Sequence, residues 1–128
     1  MSYDAYQSYQ STSLNAQTAQ ASPVQLVLVL MDGLLDELAR ARAHIEARRF
    51  EMKAASLEKC VGILNGLSTA LDMETGGEVV QNLARLYEYC ALRIFKAGLD
   101  LDLVPLDEVV RLMTQIRGGW QGVKDRHG

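Results

Sequence analysis

Four stretches of this 128-residue chain carry apolar residues at every third or fourth position, and this periodicity restricts its fold more than any other feature. Such spacing lines up apolar side chains along one side of an α-helix, whereas a half-buried strand needs strict alternation, which no stretch sustains. The predicted helices span about 23–48, 51–72, 77–97 and 103–124. Because short connections make neighbouring helices antiparallel, residues 23–128 are predicted to form an all-α, antiparallel four-helix bundle.

The residues between these stretches are typical of helix boundaries. Ser22 precedes Pro23 and is predicted to cap the first helix, with the proline in its first turn. The glycine pair at 76–77 can supply the positive φ of a tight turn. Gly98 is predicted to follow the last residue of the third helix, and Asp102 is predicted to cap the fourth.

Residues 1–22 differ from the rest in being rich in Gln, Ser, Thr, Ala and Tyr. Such a segment cannot bury enough apolar surface to offset its ordering entropy, so we expect a flexible N-terminal arm. Tyr3, Tyr6 and Tyr9, followed by Leu14, would form one stripe on a short helix. Two interpretations stay open: a soluble tail, or a docking arm that folds back as a short helix and caps a binding groove.

The first half of helix one is apolar on nearly every side, and Leu26, Val29 and Met31 widen its inner stripe. One neighbouring helix cannot cover so wide an arc. Either two helices flank helix one, or part of its surface awaits a partner. In the second case, Leu26, Val29 and Met31 are the predicted lining of a partner-binding groove.

Charge and composition exclude several other classes of protein. The net charge is −3 with an isoelectric point near 5.3, so no nucleic-acid partner is expected. Cys60 and Cys90 fall on apolar sides of their helices and are expected to be buried, inert thiols. No secretory signal or stretch long enough to span a bilayer is visible, so we expect a cytoplasmic protein without stable membrane insertion.

No catalytic apparatus is visible in the sequence. A di-iron bundle would need Glu-x-x-His pairs, and neither histidine follows a glutamate by three positions. His44 stands among arginines near the end of helix one, which is typical of cations at a helix C-terminus. A histidine phosphotransfer module remains an alternative, as does a generic helical adaptor. A small bundle with surplus apolar surface favours a protein that binds another protein's helix or extended segment.

Motifs along nearly the whole chain resemble one family, the bacterial flagellin-specific export chaperones of the FliS family. The Ala-Tyr pair at 5–6 resembles its early motif, and AQASPVQLVLVLMDG at 19–33 resembles its first-helix pattern. LDMETGGEV at 71–79 and LYEY at 86–89 are similar to its central signature, and Trp120 fits its last helix. One departure is Met31, which stands where the family has tyrosine and lacks the hydroxyl.

The resemblance implies a bundle that binds the disordered C-terminal region of flagellin, blocks premature polymerisation and delivers flagellin to the flagellar type III export gate. It implies neither cofactor, metal nor catalysis. Asp32 and Asn82 then become candidates for bonds to the partner's backbone, although a solvated or capping role is equally open. Tyr87 and Tyr89 lie on different sides of helix three, so we expect one in the core and the other, Tyr89, facing the partner.

Overall fold

A computed structural model describes residues 22–71 and 76–127, and within these ranges the ordered elements are four α-helices without any strand. The helices are α1 (Pro23–Glu46), α2 (Phe50–Thr69), α3 (Gly77–Asp100) and α4 (Leu103–His127). The prediction of an all-α four-helix fold is confirmed. No helix in the described ranges is both long enough and apolar enough to cross a membrane.

The helices pack in a ring, in which α1 and α3 each contact both α2 and α4. Two ion pairs give the direction of α4 relative to α1: Asp32 pairs with Arg117, and Arg42 pairs with Asp107. Ten residues forward on α1 therefore correspond to ten residues back on α4, so the two helices are antiparallel. We call the end of the bundle that holds the α1–α2 and α3–α4 connections the lower end, and the opposite end the upper end.

A single apolar core runs between the four helices, and every helix contributes to it. The buried core residues are Met31, Leu34, Leu38, Ala41, Ile45, Leu57, Cys60, Leu64, Leu67, Tyr87, Cys90, Ile94, Ala97, Leu106, Val109 and Met113. Met31 has no exposed surface, so the prediction that it lines an open groove is wrong. The reason is that both α2 and α4 flank α1, and together they cover more of its apolar arc than one helix could.

Three of the predicted helix boundaries are confirmed by the backbone. The Ser22 hydroxyl accepts a hydrogen bond from the Gln25 amide at 3.2 Å, and the Ser22 amide donates to the Gln25 side chain at 3.1 Å. This reciprocal pair is a capping box. Asp102 accepts from the Val104 amide at 3.0 Å, and Gly77 has a φ of +61°.

Other boundaries differ from the prediction, and Gly98 is the clearest case. It lies inside α3, which continues to Asp100 and ends with Leu101 in the left-handed conformation (φ 54°). A Cβ on Gly98 would lie only 2.7 Å from Leu57 Cδ1, so the glycine allows α2 to approach α3 rather than ending the helix. Similarly, α1 ends at Glu46 because Arg48 adopts a φ of 60°.

Both cysteines are buried and unpaired, as predicted. Burial raises the pKa of the Cys60 thiol to about 12 and that of Cys90 to about 11, because desolvation disfavours the thiolate. The thiolate is the nucleophile and metal ligand, so neither side chain is reactive near neutral pH.

Candidate functional site

Large apolar side chains are exposed mainly toward the lower end of the bundle. In the described ranges they are Phe50, Met52, Val79, Tyr89, Leu92, Phe95, Leu99, Leu101 and Val104. All except Val79 and Tyr89 lie in the first turn of α2, in residues 92–101 or in the first turn of α4. Clustered exposed apolar side chains often mark interaction sites in proteins.

A groove with a volume of about 290 Å³ lies between α2 and α3, and two of these exposed residues, Phe95 and Leu99, line it. We call it the α2–α3 groove. Its apolar lining comes from Ala54, Leu57 and Val61 of α2 and from Ile94, Phe95 and Leu99 of α3. The volume lies at the low end of the roughly 300–1,000 Å³ that small-molecule sites occupy. It is therefore better suited to a few apolar side chains of a protein partner than to a cofactor.

Small residues and one polar contact shape the lower end of the groove. Ala54 and Gly98 leave space between the two helices, and the Lys53 ammonium donates to the Gly98 carbonyl at 3.0 Å. Lys53 thus ties α2 to α3 while the apolar walls beside it stay open.

Apolar residues on the outward face of α3 make one edge of the groove apolar. Leu92, Phe95 and Leu99 follow one another at spacings of three and four, opposite the face that carries core residues such as Ile94. Leu92 and Leu99 are 68% and 71% exposed, but only Leu99 lines the groove. The inner stripe of this helix was predicted from the sequence, whereas the outer stripe was not. The spacing of Leu92, Phe95 and Leu99 along the sequence was the pattern that could have predicted it.

The predicted groove residues of α1 lie elsewhere. Leu26 and Val29 are half-buried near the start of α1, at the upper end of the bundle. The α2–α3 groove lies toward the lower end, so the structure does not bring these residues together with it. Met31 belongs to the core, as described above. Of the three, only Leu26 and Val29 retain surface that a partner could reach.

The two polar candidates are both engaged within the chain. Both carboxylate oxygens of Asp32 accept hydrogen bonds from the Arg117 guanidinium, one of them at 3.3 Å. This bond raises the pKa of Arg117. The Asn82 side chain is exposed and accepts from Arg85 at 3.2 Å. Asp32 therefore joins α1 to α4, whereas Asn82 makes a local contact within α3.

Tyr87 and Tyr89 divide as predicted, with Tyr87 buried in the core and Tyr89 exposed. The Tyr89 hydroxyl donates to the carboxylate of Glu108, whose two oxygens lie 2.9 and 3.0 Å away. Arg93 donates to the same carboxylate at 2.6 Å. The bonds from Tyr89 and Arg93 lower the pKa of Glu108. Tyr89 thus faces α4, on the other flank of α3 from the groove.

His44 and the arm complete the set of predicted residues. The Arg49 guanidinium donates to Nδ1 of His44 at 3.0 Å, so this ring nitrogen is already engaged. Tyr3, Tyr6, Tyr9 and Leu14 lie outside the described residues.

Comparisons with a family model and with individual proteins agree on one family. The model of the family described as flagellar protein FliS matches residues 5–127. Flagellar secretion chaperone FliSB of Pseudomonas aeruginosa is 41% identical over 119 residues, covering 93% of this chain and 94% of that protein. Flagellar secretion chaperone FliS of Salmonella typhimurium is 35% identical, covering 92% and 88%, and that of Bacillus subtilis is 30% identical, covering 96% and 92%. Because the family model matches almost the whole chain and the relatives align over most of their own length, this chain belongs to the FliS family.

Proposed function

We propose that this protein is a flagellar export chaperone that holds the C-terminal region of flagellin in the α2–α3 groove. Membership of a family whose relatives are named flagellar secretion chaperones supports the export role. The groove supports the binding site, since it is the exposed apolar cavity between two helices with Phe95 and Leu99 on its rim. This unpartnered groove is the observation that carries the proposal.

The size of the groove suits a short amphipathic helix. From Lys53 to Val61 its α2 wall spans nine residues, or about 12 Å at the helical rise, which is roughly two turns. An incoming helix would present apolar residues at positions i, i+3 or i+4 and i+7. The flagellin segment would gain its helical structure on binding, which we expect to appear as a negative heat-capacity change and increased helicity.

The energetics fit a partner that must later be released. Full burial of Phe95 or Leu99 contributes about 1.5–3 kcal/mol per side chain. Ordering a disordered segment costs about 2–5 kcal/mol or more of the gross interaction energy. The net affinity is therefore moderate, which allows flagellin to leave at the export gate.

Binding in the groove would cover the apolar stripe of flagellin and so prevent premature polymerisation before delivery to a component of the export gate. None of these steps makes or breaks a covalent bond. In this proposal the N-terminal arm covers the groove as a short helix until flagellin displaces it, and the freed arm then contacts the gate. A covered state favoured by about 1.4 kcal/mol would lower the apparent flagellin affinity about tenfold.

Leu99→Ser and Leu92→Ser form a matched pair that tests the site. Both change an exposed leucine of α3, but only Leu99 lines the groove. We expect Leu99→Ser to weaken binding of a labelled flagellin C-terminal peptide about tenfold, because a buried contact is lost, and Leu92→Ser to weaken it less than about twofold. Fluorescence anisotropy measures the affinity, and far-UV circular dichroism should show unchanged helicity in both variants.

The outer face of α1 is the rival binding surface, and Val29→Asp tests it in the same assay. If Val29→Asp abolishes peptide binding with helicity intact while Leu99→Ser has no effect, flagellin binds at Leu26 and Val29, and the groove assignment is wrong. Equal losses for Leu92→Ser and Leu99→Ser would also count against the groove, since they would point to the outer stripe of α3.

A further inference from the structure

Three cations at the lower end of the bundle have no carboxylate partner among the described residues: Arg48, Arg49 and Lys53. Arg48 and Arg49 are exposed in the α1–α2 connection. Arg49 donates to a histidine and Lys53 to a backbone carbonyl, and neither contact neutralises the positive charge. We call these three residues the cationic rim.

Three acidic groups of this region are engaged elsewhere, whereas Glu51 is exposed in the first turn of α2 and Glu58 lines the groove. Glu46 pairs with Arg42, and Asp100 pairs with Lys96. Asp102 accepts the amide of Val104 at the start of α4. The three cations of the rim outnumber the one exposed carboxylate beside them, Glu51, so the rim keeps an excess of positive charge on a chain whose net charge is −3.

An exposed aromatic ring contacts two of the three rim cations and links them to the groove. The guanidinium of Arg48 lies 5.6 Å from the centroid of the Phe50 ring, and the ammonium of Lys53 lies 5.8 Å from it. Cations at these distances are attracted to the face of the ring. Because Lys53 also lines the α2–α3 groove, the rim and the groove form one continuous surface.

We propose that the cationic rim binds a carboxylate of the segment held in the groove and thereby fixes the direction in which that segment lies. This inference rests on the proposed function. An apolar helix alone could enter a two-turn groove in either direction, since its apolar anchors are similar when reversed. A carboxylate placed beside the apolar anchors meets Arg48, Arg49 and Lys53 in one direction only. The segment therefore lies with its acidic end at the lower end of the bundle.

An acidic peptide fits this surface better than a nucleic acid does. The three cations adjoin an apolar groove, and the chain as a whole repels polyanions. Nucleic-acid binding draws on many phosphate contacts, whereas a single carboxylate or a pair needs only a few cations.

The test uses the full chain and the flagellin C-terminal peptide. Arg48→Gln with Arg49→Gln removes two rim charges without changing the groove lining. The control, Arg85→Gln with Lys124→Gln, removes the same charge at the upper end. At low salt we expect the rim variant to bind the peptide two- to tenfold more weakly and the control to bind as the wild type does, because exposed charge pairs are individually weak. At high salt the difference should disappear.

Two altered peptides identify the carboxylate. If side chains supply it, a peptide with Asp and Glu changed to Asn and Gln should bind wild type and rim variant equally; if the C-terminus supplies it, a C-terminally amidated peptide should do so. Equal binding of the unmodified peptide by the rim variant and the wild type at every salt concentration would overturn the inference. So would binding of a DNA duplex at physiological salt that the rim variant loses. Leu99→Ser separates the two proposals. If Leu99→Ser does not weaken peptide binding, the groove assignment is wrong. If only the rim variant binds the peptide as the wild type does, the groove assignment stands and the proposed direction of the segment is wrong.

Discussion

The α1–α4 and α2–α3 interfaces join antiparallel helices of similar length, yet they are closed by different chemistry. Between α1 and α4, Arg42 donates to both oxygens of Asp107 at 2.9 and 3.1 Å, and Arg117 does the same to Asp32. Such two-point pairs fix geometry as well as charge. They hold α4 in one register against α1.

Between α2 and α3 the contacts are largely apolar, and a side-chain hydrogen bond from Lys53 to the Gly98 carbonyl crosses the interface. The groove lies beside this bond. A partner can therefore insert apolar side chains there without separating an ion pair. One bundle can therefore combine a rigid interface, fixed by ion pairs, with an adaptable interface, closed by apolar contacts.

Leu57→Ala should have the largest effect on stability, since it removes an apolar contact on which the α2–α3 interface depends. Leu57 is buried, contacts the position of Gly98 and lines the groove. We expect a loss of about 2–3 kcal/mol in the free energy of unfolding, at the lower end of the range for buried leucines because the site is partly open. Urea denaturation measures it. A loss below about 0.5 kcal/mol would mean that apolar packing does not hold this interface.

Gly98→Ala should have a smaller effect whose sign depends on Leu57. In the wild type the new Cβ meets Leu57 Cδ1 at 2.7 Å, and the cost of moving that side chain offsets the gain of about 1 kcal/mol from replacing a helical glycine. In the Leu57→Ala background the contact is gone, so Gly98→Ala should stabilise by up to about 1 kcal/mol. A double-mutant cycle in urea measures the coupling. Additive effects would show that Gly98 is not required for close approach.

The smallest expected effect concerns acid. Hydrogen bonds from Arg42 lower the pKa of Asp107, and bonds from Tyr89 and Arg93 lower that of Glu108. A carboxyl with a lowered folded pKa stabilises the protein fully above its ordinary pKa, 3.8 for Asp107 and 4.5 for Glu108, and loses this contribution as pH falls through the folded value. The melting temperature of Asp107→Asn with Glu108→Gln should therefore lie slightly below that of the wild type at pH 6 and approach it near pH 3. A difference in melting temperature that does not change with pH would exclude the hydrogen-bonded pairs of Asp107 and Glu108 as its cause.

The sequence predicts the helices and their starts well because the signals are local. A 3.6-residue period and a capping serine or aspartate act within a few residues of themselves, as at Ser22 and Asp102. The reversals at Arg48 and Leu101 could not be predicted in this way, since both are non-glycine residues in the left-handed conformation. There, tertiary packing outweighs the local backbone preference.

The site is harder to predict because it depends on which apolar stripes find partners. Met31 and Phe95 look equally apolar in the sequence, but α2 and α4 flank the helix of the first, whereas none of the four described helices covers the second. Gly98 shows the same limit: glycine favours a helix end, yet here it serves packing between helices. Local patterns describe a helix, whereas a groove is a property of two helices together.

The placement of the ion pairs has a consequence for the order in which the bundle assembles. The pairs between α1 and α4 join residues 65 and 85 positions apart, whereas α2 and α3 follow each other directly in the chain. Closing a longer loop costs more entropy and slows the formation of its contacts. During synthesis on the ribosome, α2 and α3 also emerge before α4. We therefore expect α2 and α3, which form the walls of the groove, to pack together before α4 pairs with α1.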